Sequence, residues 1–296
     1  SVSAFTLEAT RPTADELARL AALVPPGQPL YLSHVPSQSL CEMADLAIAV
    51  HRAGLDPVLH LAARRIASAD DLTECLKHAC GEGGMRRVLV IGGDIPKPLG
   101  PYADALALIR TMDWRVLGSE EIGIAGHPQG HPVIAADTMA RALTDKLAAA
   151  RDAGLRAHIV TQFVFSAAPI LAFVRDLRDA GVTSPVRIGV AGPTKLTALL
   201  RYAARCGVAA SAQGLMSGAA TALAFGGRVG PDAILDALRG AAPALGDIAP
   251  HYFSFGGLIE TARYASVVAP IVPGRAITPP EQEFADQELP NQEPVS

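Results

Sequence analysis

The sequence predicts an α/β fold, a (β/α)8 TIM barrel built as a single domain. Short runs rich in Val, Ile and Leu alternate with longer amphipathic segments, and the pair recurs eight times along the 296 residues. Strand-then-helix units with nearly continuous apolar strands indicate a parallel sheet covered by helices. Eight units favour closure into a barrel. An open doubly wound sheet is the alternative, but it would place a glycine fingerprint after the first strand, where this chain has EATRPT.

The first half of the chain contains four strand-helix pairs. Gly54 ends the second helix, since glycine is a common helix stop. Ser68 begins the third helix, because its hydroxyl can cap the first turn and acidic residues follow it. The strands are predicted over residues 3–9, 30–35, 57–63 and 86–93, and the helices over 13–24, 39–54, 68–83 and 101–112.

The second half repeats the pattern and ends in a tail. The strands are predicted over residues 120–126, 157–165, 186–192 and 251–257, and the helices over 134–154, 167–181, 194–207, 215–226, 231–240 and 258–268. We assign residues 1–274 to the barrel. Residues 275–296 are proline-rich, acidic and poor in apolar side chains, so we predict a disordered tail there.

Composition and charge indicate which partners and which cellular location to expect. The net charge is -4 with both signs scattered, so no nucleic-acid partner is predicted. The N-terminus lacks the pattern of a secretory signal, and no apolar run is long enough to span a bilayer, so we predict a cytoplasmic protein without a membrane partner. A homo-oligomer is left open. No pair of cysteines has metal or redox spacing, so we predict reduced thiols at Cys41, Cys75, Cys80 and Cys206.

Polar side chains close seven of the eight predicted strands, at the end where such a barrel carries its active site. Carboxylates, imidazoles and an amide without lysine are typical of a site that orients a ligand. Each residue has a structural alternative, such as a core histidine or a turn aspartate. We predict that Glu8 is a general acid whose pKa is raised by a partly apolar mouth, and a structural ion pair is its alternative. The strand-end residues are Glu8, His34, His60, Asp94, His127 with His131, Gln162 and Ser254.

The stretch GHPQGHP, residues 126–132, carries two histidines with the spacing of a helical zinc site. A proline follows each histidine, and the residue before proline avoids helical geometry. We therefore predict no metal but a rigid loop after the fifth strand. In that loop Gly126 and Gly130 would bring the backbone close to a flat or phosphorylated ligand. A purely structural turn is the alternative.

Taken together, these segments resemble the catalytic barrel of bacterial methylenetetrahydrofolate reductases. TLEATRP is similar to their first strand, which carries a catalytic glutamate before a proline, and VLHL is similar to their P-H-L. VIGGDIPKP resembles their R-G-D-x-P segment and GHPQGHP their Y-P-x-x-H-P segment. IVTQFVFS resembles I-T-Q-x-F-F-D, and HYFSF resembles H-F-Y-T. The matches follow the family order over roughly residues 3–270.

The resemblance implies a barrel that holds FAD and passes hydride from NADH or NADPH through the flavin to 5,10-methylenetetrahydrofolate. It implies that Glu8 protonates the folate and that Asp94 is catalytic, holding the pterin near the flavin. Gln162 and Tyr202 are implied to contact the substrate. The implied cofactor contacts are His34, His60, Gly92, Gly93, Asp94, Tyr102, Ala103, Ala125, His127, His131 and Lys146.

The chain also departs from the family pattern. His127 replaces a tyrosine, Ser166 replaces an aspartate, and alanines thin the basic cluster after Lys146. Gly256 and Gly257 replace an arginine that meets the folate tail. These changes also fit a member that oxidises 5-methyltetrahydrofolate. Three alternatives stay open: a flavin-free relative with direct hydride transfer from nicotinamide to folate, a folate- or flavin-binding protein without turnover, and a metal-dependent barrel hydrolase.

Overall fold

A computed structural model describes residues 4–206, 228–255, 257–268 and 270–271. Eight parallel strands pair in a closed ring, each with its neighbour along the chain and the last with the first. The predicted single-domain barrel is confirmed for this part of the chain. The barrel strands are β1 (Thr6–Ala9), β2 (Pro29–Leu32), β3 (Asp56–Ala62), β4 (Arg87–Ile91), β5 (Glu121–Gly126), β6 (Arg156–Thr161), β7 (Val186–Ala191) and β10 (Ile248–Phe253). Two short strands outside the ring, β8 (Thr194–Lys195) and β9 (Arg228–Val229), pair with each other and were not predicted.

The helices follow the strands and cover the outside of the barrel. They are α1 (Ala14–Ala21), α2 (Leu40–Arg52), α3 (Ala69–Gly81), α4 (Ala105–Thr111), α5 (Ala136–Asp152), α6 (Ala167–Asp179), α7 (Leu196–Cys206), α8 (Asp232–Leu245) and α9 (Leu258–Val267). A short 3-10 turn, Ala63–Arg65, extends β3. The predicted helix 215–226 and the predicted tail 275–296 lie outside the described residues. Within the ranges given above, no helix is both long enough and apolar enough to cross a membrane.

Side-chain caps set several helix starts. The Ser68 hydroxyl accepts the Asp71 amide at 3.1 Å, so α3 begins where the sequence predicted. The helix predicted from residue 101 begins instead at Ala105, because the Asp104 carboxylate accepts the Ala107 amide at 2.8 Å. That cap leaves Tyr102 outside the helix.

Two strands, β6 and β10, end four residues earlier than predicted. β6 stops at Thr161, because the apolar side chains that continue to residue 165 pack in a cluster beyond the sheet. The last strand was predicted over 251–257 but spans 248–253, and the Gly257 amide then turns back to the Ser254 carbonyl at 2.8 Å. An apolar run predicts burial, and burial occurs here without strand pairing.

The barrel interior holds a column of polar side chains. At its middle, the Tyr31 hydroxyl lies 2.8 Å from His158 Nε2, and His158 Nδ1 lies 2.8 Å from Glu121 Oε1 near the amino ends of the strands. Gly123 makes room for this imidazole, since a Cβ there would lie 2.8 Å from His158 Nε2. Toward the carboxyl ends, the edges of His60 and His251 meet the Tyr31 ring at centroid distances of 5.8 and 4.7 Å. The fully apolar packing lies mainly between the strands and the helices.

Candidate active site

Glu8 occupies the mouth of the barrel on β1, and three side chains converge on its carboxylate. Ser33 Oγ, just past β2, donates to Oε1 at 2.6 Å. On the other oxygen, His251 Nε2 of β10 lies at 3.1 Å and His60 Nε2 of β3 at 3.5 Å. The Glu8 side chain is 13% exposed, so a ligand can reach it.

The charge state of Glu8 differs from the prediction. Burial raises its pKa, but His60, His251 and the Ser33 hydroxyl together outweigh burial, so the pKa of Glu8 is lowered. The predicted raised pKa is wrong, because two imidazoles from other strands face this carboxylate. Burial lowers the pKa of His60, although the charge of Glu8 acts to raise it. The net lowering favours a neutral His60 ring.

Sequence reasoning missed His251 and Ser33 as members of the site. His251 is fully buried, and its Nδ1 lies 2.8 Å from the Thr6 hydroxyl. The two-residue period of a strand could have indicated both residues, because a residue two positions from an inward-facing one lies on the same face of the strand. Ser33 stands in that relation to Tyr31, and His251 to Phe253.

Asp94 follows β4 and is held from the side by an arginine. Arg65 Nε and Nη2 each lie 2.7 Å from Asp94 Oδ1, and the Asp94 side chain remains 76% exposed. Burial is the main cause that lowers the pKa of half-buried His34, and the charges of Arg65 and Asp94 act on it in opposite directions. The charge of His34 acts in turn on His60, one of the two imidazoles that face Glu8.

The loop after β4 leaves space beside its backbone. A Cβ at Gly92 would meet no atom within 4 Å, and Gly93 has φ of +91°, which favours glycine. Arg64 fixes the loop by donating to the Ala103 carbonyl at 2.8 Å and to the Ile95 carbonyl at 3.3 Å. One segment, held in place by Arg64, therefore contains three of the predicted cofactor contacts, Gly92, Gly93 and Ala103.

Tyr102 lies elsewhere. Its side chain is buried, and its hydroxyl donates to Met112 Sδ at 3.3 Å, at the end of α4. Because Asp104 starts α4 after Tyr102, the structure places this hydroxyl in helix packing rather than at the strand ends. The cofactor contact implied for Tyr102 stays a prediction, and its hydroxyl is engaged by Met112.

The GHPQGHP stretch forms a loop after β5, as predicted, and not a helix. The Gly130 amide donates to the His127 carbonyl at 3.0 Å, with Gly130 at φ of +76°. Gly126 is also needed for packing, since a Cβ there would lie 2.9 Å from Ile159 Cγ2, and the predicted approach of its backbone to a ligand stays a prediction. Ala125, which precedes it on β5, is half-buried.

His127, His131 and Lys146 form a basic cluster beside this loop. The two imidazole rings meet edge to face at 5.9 Å. Burial, with the charges of His131 and Lys146, lowers the pKa of His127 to about 4, and burial lowers the pKa of Lys146. An anion bound beside His127 and Lys146 would favour their protonated forms, which burial disfavours in the ligand-free protein. Among the described residues, no group of three or more His, Cys, Asp or Glu side chains could hold a metal ion.

Aromatic rings line the other side of the mouth. Phe255 stacks on Tyr202 of α7 at 4.4 Å and an interplanar angle of 22°, and Phe163 meets Phe255 edge to face at 5.2 Å. Phe255 has φ of +44°, a strained value for a non-glycine residue. Phe253 connects this aromatic cluster to the Glu8 carboxylate, because its ring lies 5.0 Å from the ring of His251, which contacts Glu8.

Gln162 borders the aromatic cluster at the end of β6. Its Oε1 accepts the Phe163 amide at 3.0 Å. The two residues implied to contact the substrate, Gln162 and Tyr202, therefore both adjoin the same group of rings.

Comparison with known proteins places the chain in a family. A family model described as methylenetetrahydrofolate reductase matches residues 35–217, more than half of the chain. The chain belongs to the methylenetetrahydrofolate reductase family. That range includes Asp94, His127, Gln162 and Tyr202, whereas Glu8 and His251 lie outside it. The tertiary structure therefore brings Glu8 and His251 next to residues of the range that the reductase family model matches.

A curated relative supports the family assignment over a shorter range. The probable methylenetetrahydrofolate reductase (NADPH) of Caenorhabditis elegans is 34% identical over 145 residues, which cover 46% of this chain and 20% of that protein. The chain thus matches about a fifth of the length of that reductase.

Solved structures share the general barrel shape. A dihydropteroate synthase of Thermus thermophilus is 16% identical with a TM-score of 0.45, over 88% of this chain and 90% of that one. A sugar phosphate isomerase/epimerase of Parabacteroides distasonis is 12% identical with a TM-score of 0.46, over 92% and 99%. Similarity at this level carries no argument about the reductase-family site, and the strand pairing itself establishes the barrel.

Proposed function

We propose that this family member is a flavin-dependent oxidoreductase that interconverts 5,10-methylenetetrahydrofolate and 5-methyltetrahydrofolate, with Glu8 as general acid and base. The observation that carries the proposal is the carboxylate of Glu8 at the open end of the barrel. Ser33 and His251 hold it at 2.6 and 3.1 Å, and it stays reachable by a ligand. The family assignment supports folate as the substrate.

The reaction needs a proton at a defined place. A methylene carbon bridging two nitrogens accepts hydride only after one nitrogen is protonated and the bridge opens to an iminium. A carboxyl group within hydrogen-bond distance of that nitrogen supplies the proton, and as a carboxylate it takes the proton back in the oxidising direction. Because the pKa of Glu8 is lowered, the ligand-free site is ready to act as a base and needs a proton source to act as an acid.

Flat ligands fit the residues around Glu8. The rings of Tyr202 and Phe255 offer a stacking surface for the pterin, and aromatic stacking is favourable for such rings. The Gln162 side chain and the Asp94 carboxylate, at the ends of β6 and β4, offer polar contacts that orient the pterin. Asp94 is positioned for this by Arg65.

Residues after β4 and β5 suit FAD. Gly92 leaves open space next to its backbone, and His127, His131 and Lys146 gather nitrogen bases that a diphosphate would stabilise in their charged forms. Bound there, FAD would carry hydride between NADH or NADPH and the folate. The name of the C. elegans relative, which specifies NADPH, supports a nicotinamide donor.

The visible spectrum of the purified protein tests the proposal. We expect flavin absorbance, present on purification or regained with added FAD, that bleaches anaerobically with NADH or NADPH and with 5-methyltetrahydrofolate. A colourless protein that gains no flavin bands yet reduces folate with NADH would support the flavin-free alternative. Folate binding without turnover with any electron donor would support a binding protein.

A further inference from the structure

We propose that Phe255 sets the affinity of the site for the folate, because its ring covers one face of Tyr202 and gives that face up to the pterin. This inference rests on the proposed function and refines it, since Tyr202 supplies the stacking face and Phe255 competes for it. The Phe255 ring stacks on Tyr202 at a centroid distance of 4.4 Å and an interplanar angle of 22°. A flat ligand that stacked on that face would need the space that the Phe255 ring occupies.

The backbone at Phe255 adopts a conformation that suits glycine. The Gly257 amide donates to the Ser254 carbonyl at 2.8 Å, which closes a turn with Phe255 at its second position. Phe255 has φ of +44° there, and among the described residues it is the only non-glycine residue with a positive φ. Glycine, asparagine and aspartate dominate turns with a positive φ at this position, because larger side chains clash with the backbone. The turn therefore holds Phe255 in a strained conformation.

Ring contacts offset this strain. Besides stacking on Tyr202, the Phe255 ring lies nearly parallel to Phe253 at 6.0 Å and meets Phe163 edge to face at 5.2 Å. A strained backbone persists only while its surroundings hold it in place. A pterin that replaces the Phe255 ring on Tyr202 removes one of these contacts and lets the backbone relax. The strain at Phe255 thereby lowers the cost of exchanging one ring for the other.

The chain is anchored on both sides of Phe255, so the exchange involves one side chain and its turn. On one side, Ser254 is buried and its amide donates to the Glu8 carbonyl at 3.3 Å. On the other side, α9 begins at Leu258, which is buried. Phe255 and Tyr202 are both half-buried, so a ligand can reach their rings. The turn thus connects the stacked rings to the strand that carries Glu8.

Folate binding by variants gives the first test. The full-length Glu8→Gln protein is used, because its slow turnover lets 5-methyltetrahydrofolate bind at equilibrium in anaerobic calorimetry. An attached competitor weakens binding by the fraction of time for which it leaves the face open, so adding Phe255→Ala should lower Kd by about threefold or more. Tyr202→Ala should raise Kd, since it removes the face itself. An unchanged or raised Kd in Phe255→Ala would overturn the inference, because the ring would then not compete with the ligand.

A matched control separates this competition from general loosening of the aromatic cluster. Phe165 is half-buried in the same cluster, where its ring meets Phe163 at 6.2 Å. Phe165→Ala in the same background should leave Kd unchanged. A Kd lowered equally by Phe165→Ala and Phe255→Ala would also overturn the inference, since the effect would not depend on the ring that covers Tyr202.

NMR follows the two rings directly. In full-length protein labelled at Tyr and Phe, rings 4.4 Å apart give a nuclear Overhauser cross-peak between Tyr202 and Phe255, and Phe255→Leu identifies this cross-peak by removing it. We expect it to disappear when 5-methyltetrahydrofolate saturates the Glu8→Gln protein. A cross-peak that persists at saturation would contradict the exchange of rings.

Urea unfolding tests the strain. Phe255→Gly and Phe255→Ala both lose the ring, but glycine accepts a positive φ without steric cost. We therefore expect Phe255→Gly to unfold at a higher urea concentration than Phe255→Ala. The opposite order is expected at helical Gly240, where alanine is the better residue. An equal or lower midpoint for Phe255→Gly would show that the turn stores no strain to release.

The two proposals fail in different ways. A wild-type protein that neither binds nor turns over 5-methyltetrahydrofolate would end the proposed function, and this inference with it. Wild-type turnover, together with a persistent cross-peak or a raised Kd in Phe255→Ala, would end only the role of Phe255.

Discussion

Gly123→Ala tests the polar column inside the barrel. Gly123 lies on β5 with no unfavourable backbone angle, so alanine is tolerated by the chain itself. Its new Cβ, however, would lie 2.8 Å from His158 Nε2 and 2.9 Å from Leu89 Cδ1. Contacts under 3.0 Å force one neighbour to move, and the imidazole that would move is the one bound to the Tyr31 hydroxyl at 2.8 Å.

The expected cost follows from these two contacts. Overpacking a core costs about 1–3 kcal/mol, and leaving the buried Tyr31 hydroxyl without its partner costs about 1–3 kcal/mol. Alanine recovers about 0.4–1 kcal/mol by restricting the unfolded chain. We therefore expect the free energy of unfolding to fall by about 1–5 kcal/mol.

Urea unfolding followed by circular dichroism measures this change at constant m-value. Gly240→Ala is the matched control, since Gly240 is exposed on α8 with open space at its Cβ, and it should stabilise the protein by about 0.5–1 kcal/mol. In a His158→Ala background the cost of Gly123→Ala should shrink by at least about 1 kcal/mol. A loss below about 1 kcal/mol, or additive effects in the double variant, would show that the column does not confine His158 as described.

Three further predictions concern the mouth of the barrel. Glu8→Gln should lower folate turnover by at least ~100-fold, because it removes the proton donor; the flavin spectrum of the variant should persist, and unchanged steady-state folate turnover would remove Glu8 from the mechanism. Arg65→Ala should raise the KM for folate more than it lowers kcat, because it removes the side chain that holds Asp94, and Arg65→Lys should recover part of the loss. Equal steady-state kinetics in wild type and both variants would show that Arg65 is not needed to position Asp94. Stability should fall as the pH drops below 6.5, the ordinary pKa of histidine, because burial lowers the folded-state pKa of His60 and the unfolded chain then binds more protons. In urea titrations at several pH values, His60→Gln should flatten that slope, and an equally steep slope would assign the loss to other groups.

Most of the barrel could be predicted from the sequence because the pattern of its elements is local. Strand-then-helix alternation appears in any short window, and caps such as Ser68 need only the three residues that follow. The errors at the ends of β6 and β10 share one cause. Packing of Phe163 against Phe255 leaves Phe163 buried and Phe255 half-buried, and a pattern of hydrophobicity does not distinguish such packing from pairing in a sheet.

The site was predictable residue by residue but not as a set. Strand ends pointed to Glu8 and His60, yet the Glu8 partners Ser33 and His251 lie 25 and 243 positions along the chain. The same gap explains the wrong direction for the Glu8 pKa. An apolar neighbourhood read from Leu7 and Ala9 predicts a raised value, whereas the facing imidazoles lower it.

By itself the sequence determined the order and kind of the elements and the chemical groups at the strand ends, because these depend on residues close together in the chain. Only closure of the barrel decided which groups meet. The ring places β1 between β2 and β10, and this brings Ser33 and His251 to Glu8. Hydrogen bonds need contact, and a charge shifts a pKa most strongly from within about 4–6 Å, so the protonation of that carboxylate is a property of the folded ring and not of any segment.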